Sequence, residues 1–277
     1  MSKRPKLYVQ YDDTDEVEVS EAIRGLTFLG DSTSPNLLNT YQTDAAVDGE
    51  LLTSQTFDKS TVTANFWLHF GDYYDYVMAK HEIYKLFANR RMLRLRTDAQ
   101  PSLVKYVRTT PFEITIDEPG THDVQFAIPF DNPSGYLYSA VNSDQLTADN
   151  SQFGMNLPTD TAIGYHFTTT SFEVFNASDI AIEPYLQRHE LRIIINFTGD
   201  NLTLTNSTNG SSWSYTKAAT SSDQIVLNGI NTTLNGKPAS ANTDFGNITL
   251  NPGFNSITAT GATAVDITFS FPFIYLA

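Results

Sequence analysis

Apolar and polar residues alternate with a period of two over much of this chain, which is the pattern of half-buried β-strands. The clearest run is Val62–Phe70, where every second residue is apolar. The same alternation recurs at Phe112–Ile116, Val124–Phe130, Leu191–Phe197 and Val265–Tyr275. Gly, Pro or Asn residues bound these runs, so we predict a mainly β protein with antiparallel sheets. The last run places the C-terminal residues inside a sheet.

One segment departs from this alternation and predicts an α-helix over residues 72–90. Its apolar residues recur at three- and four-residue steps: Tyr73, Tyr76, Val77, Ile83, Tyr84 and Phe87. Asp72 is suited to the N-cap, and Arg90 and Arg91 stand where a helix C-terminus favours cations. The rest of the chain is expected to be strand and loop.

The apolar alternation lapses between Pro133 and Pro158, where turn-forming polar residues predominate. A chain of 277 residues is long enough for two domains. We therefore predict a domain of residues 1–138 and a second of residues 139–277. Both are expected to be antiparallel and β-sandwich-like, with the single helix in the first.

Composition narrows the classes of function. The formal net charge of −14 disfavours nucleic acid and anionic lipid as ligands. The chain has no cysteine, so it can form no disulfide, no thiolate nucleophile and no Cys-ligated zinc site. This absence agrees with synthesis in a reducing cytoplasm. No apolar run of signal-peptide or membrane-spanning length is present, so no membrane insertion is expected.

No set of residues predicts a catalytic, metal or cofactor site. The five histidines never pair at the short spacings that local metal sites prefer. Gly30-Asp31-Ser32 is similar to a hydrolase serine block but lacks its Asp-x-x-His partner. The acidic cluster of Asp12, Asp13, Asp15 and Glu16 lacks the glycine and distal glutamate of a calcium loop. We predict that the chain is not an enzyme. The sequence leaves open a pair of carboxylates that only the fold brings together, as glycoside hydrolysis requires.

The basic residues are concentrated in one stretch. Residues 80–108 contain eight of the 17 basic residues and only two acidic ones, a net charge of +6, which leaves −20 for the remainder. Such asymmetry suits head-to-tail contacts between subunits, and a solvated helix face with an adjoining strand explains it equally well. The candidate subunit-interface residues are Lys85, Arg90, Arg91, Arg94 and Arg96.

The order of several segments resembles that of a known family. The helix from Asp72 is followed by Met92-Leu93-Arg94-Leu95-Arg96, by Tyr106-Val107-Arg108 and by Ile128–Pro133. The second half adds Phe172–Asn176, Glu183-Pro184, Leu191–Phe197 and Leu250–Ile257. Together these segments resemble the distal tail protein of siphophages over nearly the whole chain.

The resemblance implies a structural virion protein without catalytic residues, assembled in the host cytoplasm and located at the phage tail tip. First domains would form a hexameric ring below the tail tube protein, and a tail-tip hub would lie beneath them. The second domain would be a galectin-like or carbohydrate-module-like β-sandwich, with receptor-binding proteins as further candidate partners. A channel that passes DNA should avoid basic walls, so we expect the basic stretch at subunit contacts and not on the lumen.

A rival hypothesis makes the second domain a host-surface carbohydrate-binding module. Four aromatic residues stand among Asn and Thr side chains there: Trp213, Tyr215, Phe245 and Phe254. Aromatic faces flanked by amides are typical of sugar-binding sites. Packing in a β-sandwich core explains the same residues.

Overall fold

The fold is mainly β, in two compact units. It was obtained as a computed structural model that describes residues 4–12, 14–116, 118–152 and 154–276. Unit 1 comprises Met1–Leu137 with Leu276–Ala277, and unit 2 comprises Tyr138–Tyr275. The mainly β, antiparallel fold class is confirmed. The boundary at residues 138 and 139 stays a prediction about which segments fold independently.

Unit 1 is built on one antiparallel sheet with strand order β2-β1-β7-β8-β9-β6-β3. Its elements are β1 (Leu7–Tyr11), β2 (Val17–Glu18), α1 (Val19–Ala22), β3 (Leu26–Thr33), β4 (Leu37–Gln42), β5 (Leu51–Phe57), β6 (Ser60–His69), α2 (Tyr73–Phe87), β7 (Leu93–Thr97), β8 (Leu103–Thr109) and β9 (Asp123–Asn132). Strand β10 (Tyr136–Ser139) spans the boundary between the units. Strands β4 and β5 pair only with each other, as a separate two-stranded ribbon.

The core of unit 1 follows from the period-two pattern of β6. Val62, Ala64, Phe66 and Leu68 are completely buried, as their alternation predicts. The Phe66 ring packs against Phe28, Phe87 and Phe126, with centroids 5.6 to 5.8 Å apart. Aromatic rings at such separations add to the free energy of burial. Helix α2 is thereby held against the sheet through Phe87.

Helix α2 begins where its N-cap predicts, but its buried face is narrower than predicted. The Asp72 carboxylate accepts a hydrogen bond from the Asp75 backbone N–H at 2.9 Å. Tyr76, Ile83 and Phe87 are buried, whereas Tyr73 and Val77 are exposed. Two of the apolar residues that suggested a core-facing stripe therefore face solvent.

The strand predicted at Phe112–Ile116 is absent, and the segment is an extended loop. Ile114 is nevertheless completely buried. Its carbonyl accepts hydrogen bonds from the Tyr76 hydroxyl and the Lys80 ammonium, each at 2.7 Å. Side chains of α2 therefore satisfy the backbone that a sheet ladder would otherwise pair.

Unit 2 is a second antiparallel sheet, with strand order β11-β18-β13-β15-β16-β17. Its elements are β11 (His166–Phe167), β12 (Ser171–Asn176), α3 (Pro184–Gln187), β13 (Arg192–Asn206), β14 (Ser212–Tyr215), β15 (Ile225–Asn228), β16 (Asn231–Leu234), β17 (Lys237–Pro238), β18 (Gly253–Ser270) and β19 (Ile274–Leu276, whose last residue belongs to unit 1). Strand β12 also pairs with β18, and β14 with β13. An Asn235-Gly236 turn joins β16 to β17, with both residues at positive φ.

Buried asparagines hold the loops of unit 2 against its sheet. Asn206 and Asn255 are completely buried, and the Asn206 amide donates to the Asn255 side-chain oxygen at 3.0 Å. Asn255 also donates to the carbonyls of Asn251 at 2.7 Å and Gly253 at 3.0 Å. Because these amides find partners, their burial fixes one conformation of the turn.

Two short helices were not predicted. Both α1 and α3 are four residues long, which is too short for apolar periodicity to reveal them. Among the residues with described positions, no helix has the length and hydropathy needed to cross a membrane.

Candidate assembly site

The ribbon of β4 and β5, here called the hairpin, presents apolar side chains to solvent. Leu37, Leu38, Tyr41, Leu51 and Leu52 are each between 49% and 63% exposed. Tyr41 and Leu52 are cross-strand partners and so lie on the same face. An isolated two-stranded ribbon is at best marginally stable in water. Its exposed apolar residues make it a candidate interaction surface.

The base of the hairpin is closed by hydrogen bonds between residues that flank its two strands, and it contacts β10 through Phe57. The Asp58 backbone N–H donates to the Asn36 carbonyl at 2.8 Å, and the Asn36 amide donates to the Lys59 carbonyl at 3.1 Å. The Phe57 ring meets the Tyr136 ring edge-on, with centroids 5.4 Å apart. These contacts fix the base, while the remainder of the hairpin projects into solvent.

The outer face of α2 is a second exposed apolar surface. Tyr74 and Met78 lie four residues apart on this face, 79% and 69% exposed, and Val77 flanks them. His81 and Lys85 continue the same face toward the helix C-terminus and are exposed. The surface thus changes from apolar to basic along the helix. We call these five residues the α2 outer face.

Three of the five predicted interface residues reach solvent. Lys85 bridges Glu82 on the same helix at 3.3 Å, an exposed pair that contributes little to stability. Arg90 is exposed, and its carbonyl accepts a hydrogen bond from Arg108. Arg91 pairs with Asp12 at 3.4 Å, with its guanidinium 4.8 Å from the centre of the Tyr11 ring.

Arg94 and Arg96, in contrast, are held within unit 1. Arg94 donates to Glu16 at 2.9 Å, and Arg96 binds both oxygens of the same carboxylate. The Arg96 guanidinium also lies over the Tyr8 ring, 4.1 Å from its centre. Hydrogen bonding from Arg96 and the positive charge of both arginines lower the pKa of Glu16. Pairing with Glu16 thus offsets part of the positive charge that the sequence places on β7.

The same contacts account for part of the acidic cluster near the N-terminus. Glu16 binds Arg94 and Arg96, and Asp12 binds Arg91. Asp13 lies outside the described residues. Where the structure describes the chain, no group of three or more carboxylates and imidazoles is arranged to hold a metal ion.

Replacing Glu16 tests whether β7 is held by this ion pair. We expect Glu16→Gln to lower the free energy of unfolding by about 2 kcal/mol, because it leaves two partly buried guanidiniums without their carboxylate. Glu82→Gln, which removes the exposed pair with Lys85, should cost less than about 0.5 kcal/mol. Urea denaturation of the two variants measures the difference. Equal losses would show that the Glu16 pair is not structural.

The four candidate sugar-binding aromatics do not form one surface. Trp213 and Tyr215 are buried, with relative exposures of 0% and 1%, and point inward from β14. This corrects their assignment as a sugar platform, because the Ser-Trp-Ser-Tyr alternation directs both rings into the core. Phe245 and Phe254 are exposed. No ring contact in the described part of the chain joins those two.

Sequence reasoning missed the hairpin and misassigned part of the α2 outer face. The available signal was two apolar pairs, Leu37-Leu38 and Leu51-Leu52, either side of a polar turn. Adjacent apolar residues in a strand point to opposite faces, which is unlike a half-buried strand. For α2, apolar residues on every side of its first two turns were the corresponding signal.

Comparison with known proteins places these surfaces in a family context. The model of the phage tail protein RIFT-related domain matches residues 16–132, which include the hairpin, α2 and β7. A search of curated protein sequences found no match. The crystal structure of the phage SPP1 Dit protein, described as a paradigm of hub adsorption apparatus in Gram-positive-infecting phages, matches with a TM-score of 0.65. The match covers 96% of this chain and 99% of that chain at 12% identity.

A structure of the phage p2 baseplate in its activated conformation with Sr also matches. The match covers 96% of this chain and 97% of that chain, at 11% identity and a TM-score of 0.44. The resemblance to siphophage distal tail proteins is confirmed: the chain carries a phage tail protein RIFT-related domain in residues 16–132 and has the distal tail fold.

Proposed function

We propose that this chain is a structural subunit of a phage tail tip, whose first unit assembles into a hexameric ring between the tail tube and the host-adhesion apparatus. The observation that carries the proposal is the hairpin, an anchored ribbon with exposed apolar side chains. A projecting arm of this kind is stabilised when a neighbouring subunit covers it. The distal tail fold and the phage tail domain of residues 16–132 support the same role.

The proposed partners follow from this position in the tail. The ring would contact the tail tube protein on one side and a tail-tip hub on the other, with receptor-binding proteins as further partners of the assembled tip. The exposed cations of the basic stretch, Lys85, Arg90 and Arg91, belong at subunit contacts in this proposal. A lumen lined by these cations would bind the DNA phosphates that pass through it.

The proposal assigns no catalytic role to the chain and no sugar site to unit 2. Burial of Trp213 and Tyr215 leaves Phe245 and Phe254 as separate exposed rings. Separate single rings do not provide the set of converging groups that a sugar site needs. The role proposed for unit 2 is therefore structural.

Removing the apolar residues of the hairpin tests the proposal. We expect Tyr41→Ser combined with Leu52→Ser to abolish ring formation while leaving the fold intact, because both side chains are exposed in the single chain. Light scattering over a wide range of concentrations, and after co-expression with the tail tube protein, measures the assembly state. Tyr185→Ser with Leu186→Ser, which removes exposed apolar residues from unit 2, is the matched control. A wild-type chain that stays monomeric in both settings would refute the ring.

A further inference from the structure

We propose that the hairpin of each copy docks onto the outer face of α2 of the next copy, with the tip of the hairpin toward Lys85, Arg90 and Arg91. This inference rests on the proposed ring and names the two surfaces that meet in it. In this proposal, a second copy of this chain covers the exposed apolar residues of α2.

The apolar parts of the two surfaces match in kind and in length. Tyr41 and Leu52 form an aromatic–aliphatic pair on one face of the hairpin, and Tyr74 and Met78 form another on α2. The seven residues of β5 extend over about 23 Å at the usual rise of a strand. The 15 residues of α2 extend over about 22 Å at the usual rise of a helix. A ribbon laid along the helix can therefore cover it from end to end.

The charges of the two surfaces are complementary and have the same order along their length. Residues 34–57 contain three acidic residues at the hairpin tip, Asp44, Asp48 and Glu50, and no basic residue. In the described part of the chain, these three carboxylates form no ion pair. Toward the C-terminal end of α2, residues 82–91 contain three basic residues, Lys85, Arg90 and Arg91, and one acidic residue, Glu82, a net charge of +2. In the proposed contact, the apolar part of the hairpin lies on the apolar part of α2, and the acidic tip of the hairpin lies at the basic end of α2.

Pairing two different surfaces of the same chain gives a head-to-tail contact. Every copy then offers one hairpin and one α2 outer face, and repetition of the contact closes a ring when the rotation allows it. The two surfaces are both exposed in the single chain, so neither satisfies the other internally. The arrangement also distinguishes Lys85, Arg90 and Arg91, which are exposed, from Arg94 and Arg96, which are partly buried against Glu16. The ion pairs of Lys85 with Glu82 and of Arg91 with Asp12 are themselves exposed.

Cross-linking tests the contact directly, because the natural chain has no cysteine. Tyr41→Cys and Met78→Cys are made as single variants and as a double variant, and each is treated with a short bismaleimide. We expect the double variant to give a ladder of covalent oligomers that ends at the closed ring. A mixture of the two single variants should give only dimers with one copy of each, and each single variant alone should give none.

The controls separate failure of this contact from failure of the ring. Tyr41→Cys mixed with Tyr185→Cys, which places the second cysteine on unit 2, should give no dimer. If light scattering shows rings but Tyr41→Cys does not link to Met78→Cys, the proposed docking is wrong and the ring stands. If hairpins link to hairpins, the contact is not head-to-tail. If no oligomer forms under any condition, both proposals fail.

A charge exchange provides an independent check. Lys85→Glu should weaken assembly at least tenfold at low salt, because it places a carboxylate against the acidic tip. Glu50→Lys in the same chain should restore part of the loss if the two residues face each other across the contact. Assembly measured against salt concentration should show less dependence in the single variant than in the wild type. An unchanged assembly constant in Lys85→Glu would contradict the proposed orientation.

Discussion

Removal of residues 271–277 is expected to unfold unit 2. Phe271, Phe273 and Ile274 are completely buried, and Tyr275 is 3% exposed. Truncating one buried aromatic to alanine typically costs about 3–5 kcal/mol, against a total stability of about 5–15 kcal/mol for a domain. Loss of several such side chains therefore exceeds what the unit can tolerate.

Backbone contacts add to this loss. The Phe273 N–H donates to the Ser139 hydroxyl at 2.9 Å, and its carbonyl accepts from the Ser139 N–H at 3.0 Å. The Tyr275 hydroxyl donates to the Met155 carbonyl at 3.0 Å. Residues 271–277 thus hold the first loops of unit 2 in place through hydrogen bonds. Removing these residues leaves the buried polar groups of the loops without partners.

Trp213 reports on the outcome, because it is completely buried in unit 2. In a Trp67→Phe background, the truncated chain should show the red-shifted emission of an exposed indole. Phe271→Ala with Phe273→Ala should give the same shift without shortening the chain. Tyr185→Ser with Leu186→Ser, which changes only exposed side chains of the same unit, should leave the emission blue-shifted. Native emission from the truncated chain would show that the segment is dispensable.

Unit 2 is also expected to lose stability between about pH 6.5 and pH 4 through a buried histidine. His189 is 5% exposed, and its Nε2 lies 2.8 Å from the Pro272 carbonyl. Because a carbonyl only accepts, Nε2 carries the proton of the neutral ring. Nδ1 is buried and has no hydrogen-bond partner among the described residues. Protonation there would place an unpaired charge in the interior.

The sign of the pH effect follows from the direction of the pKa shift. Burial lowers the pKa of His189 from 6.5 to about 4, against the opposing effect of the hydrogen bond to Pro272. Between these values the unfolded chain binds more protons than the folded chain, so stability falls as the pH falls. Above this window His189 has no effect, and below it the loss is complete at about 3 kcal/mol.

Substitution of His189 isolates this contribution from that of the carboxylates. His189→Gln keeps an amide donor for the Pro272 carbonyl and removes the titration. Urea midpoints at pH 7, 5.5 and 4.5, followed by Trp213 emission, should show a stability difference between variant and wild type that shifts in favour of the variant as the pH falls. A difference that stays constant with pH would show that His189 does not titrate in this window.

Much of the fold was predictable from residue patterns, for reasons visible in particular elements. Strand β6 buries the alternate residues that its sequence marks as apolar, and β9 and β13 behave in the same way. The Asn235-Gly236 turn and the Asp72 N-cap are local features whose geometry depends on few neighbours. The strand predicted at Phe112–Ile116 is wrong, because this segment is buried by α2, which is distant in sequence, and not by a sheet.

The candidate site was less predictable. The sequence shows eight basic residues in one stretch. It does not show that Arg94 and Arg96 pair with Glu16, which lies 78 and 80 residues before them. Nor did the Asn- and Thr-rich surroundings of Trp213 reveal that its ring is in the core. Both features depend on which side of an element faces a neighbour that is remote along the chain.

From the sequence alone came the β architecture, the long helix and the concentration of basic residues, because these depend on local periodicity and composition. The order of several segments gave the resemblance to distal tail proteins. The tertiary structure determined which apolar side chains are buried and which charged side chains form ion pairs. Burial and ion pairing depend on contacts between segments far apart in sequence, and no local pattern encodes them. For that reason the hairpin and the α2 outer face could be recognised as candidate assembly surfaces only from the three-dimensional packing, which leaves them uncovered.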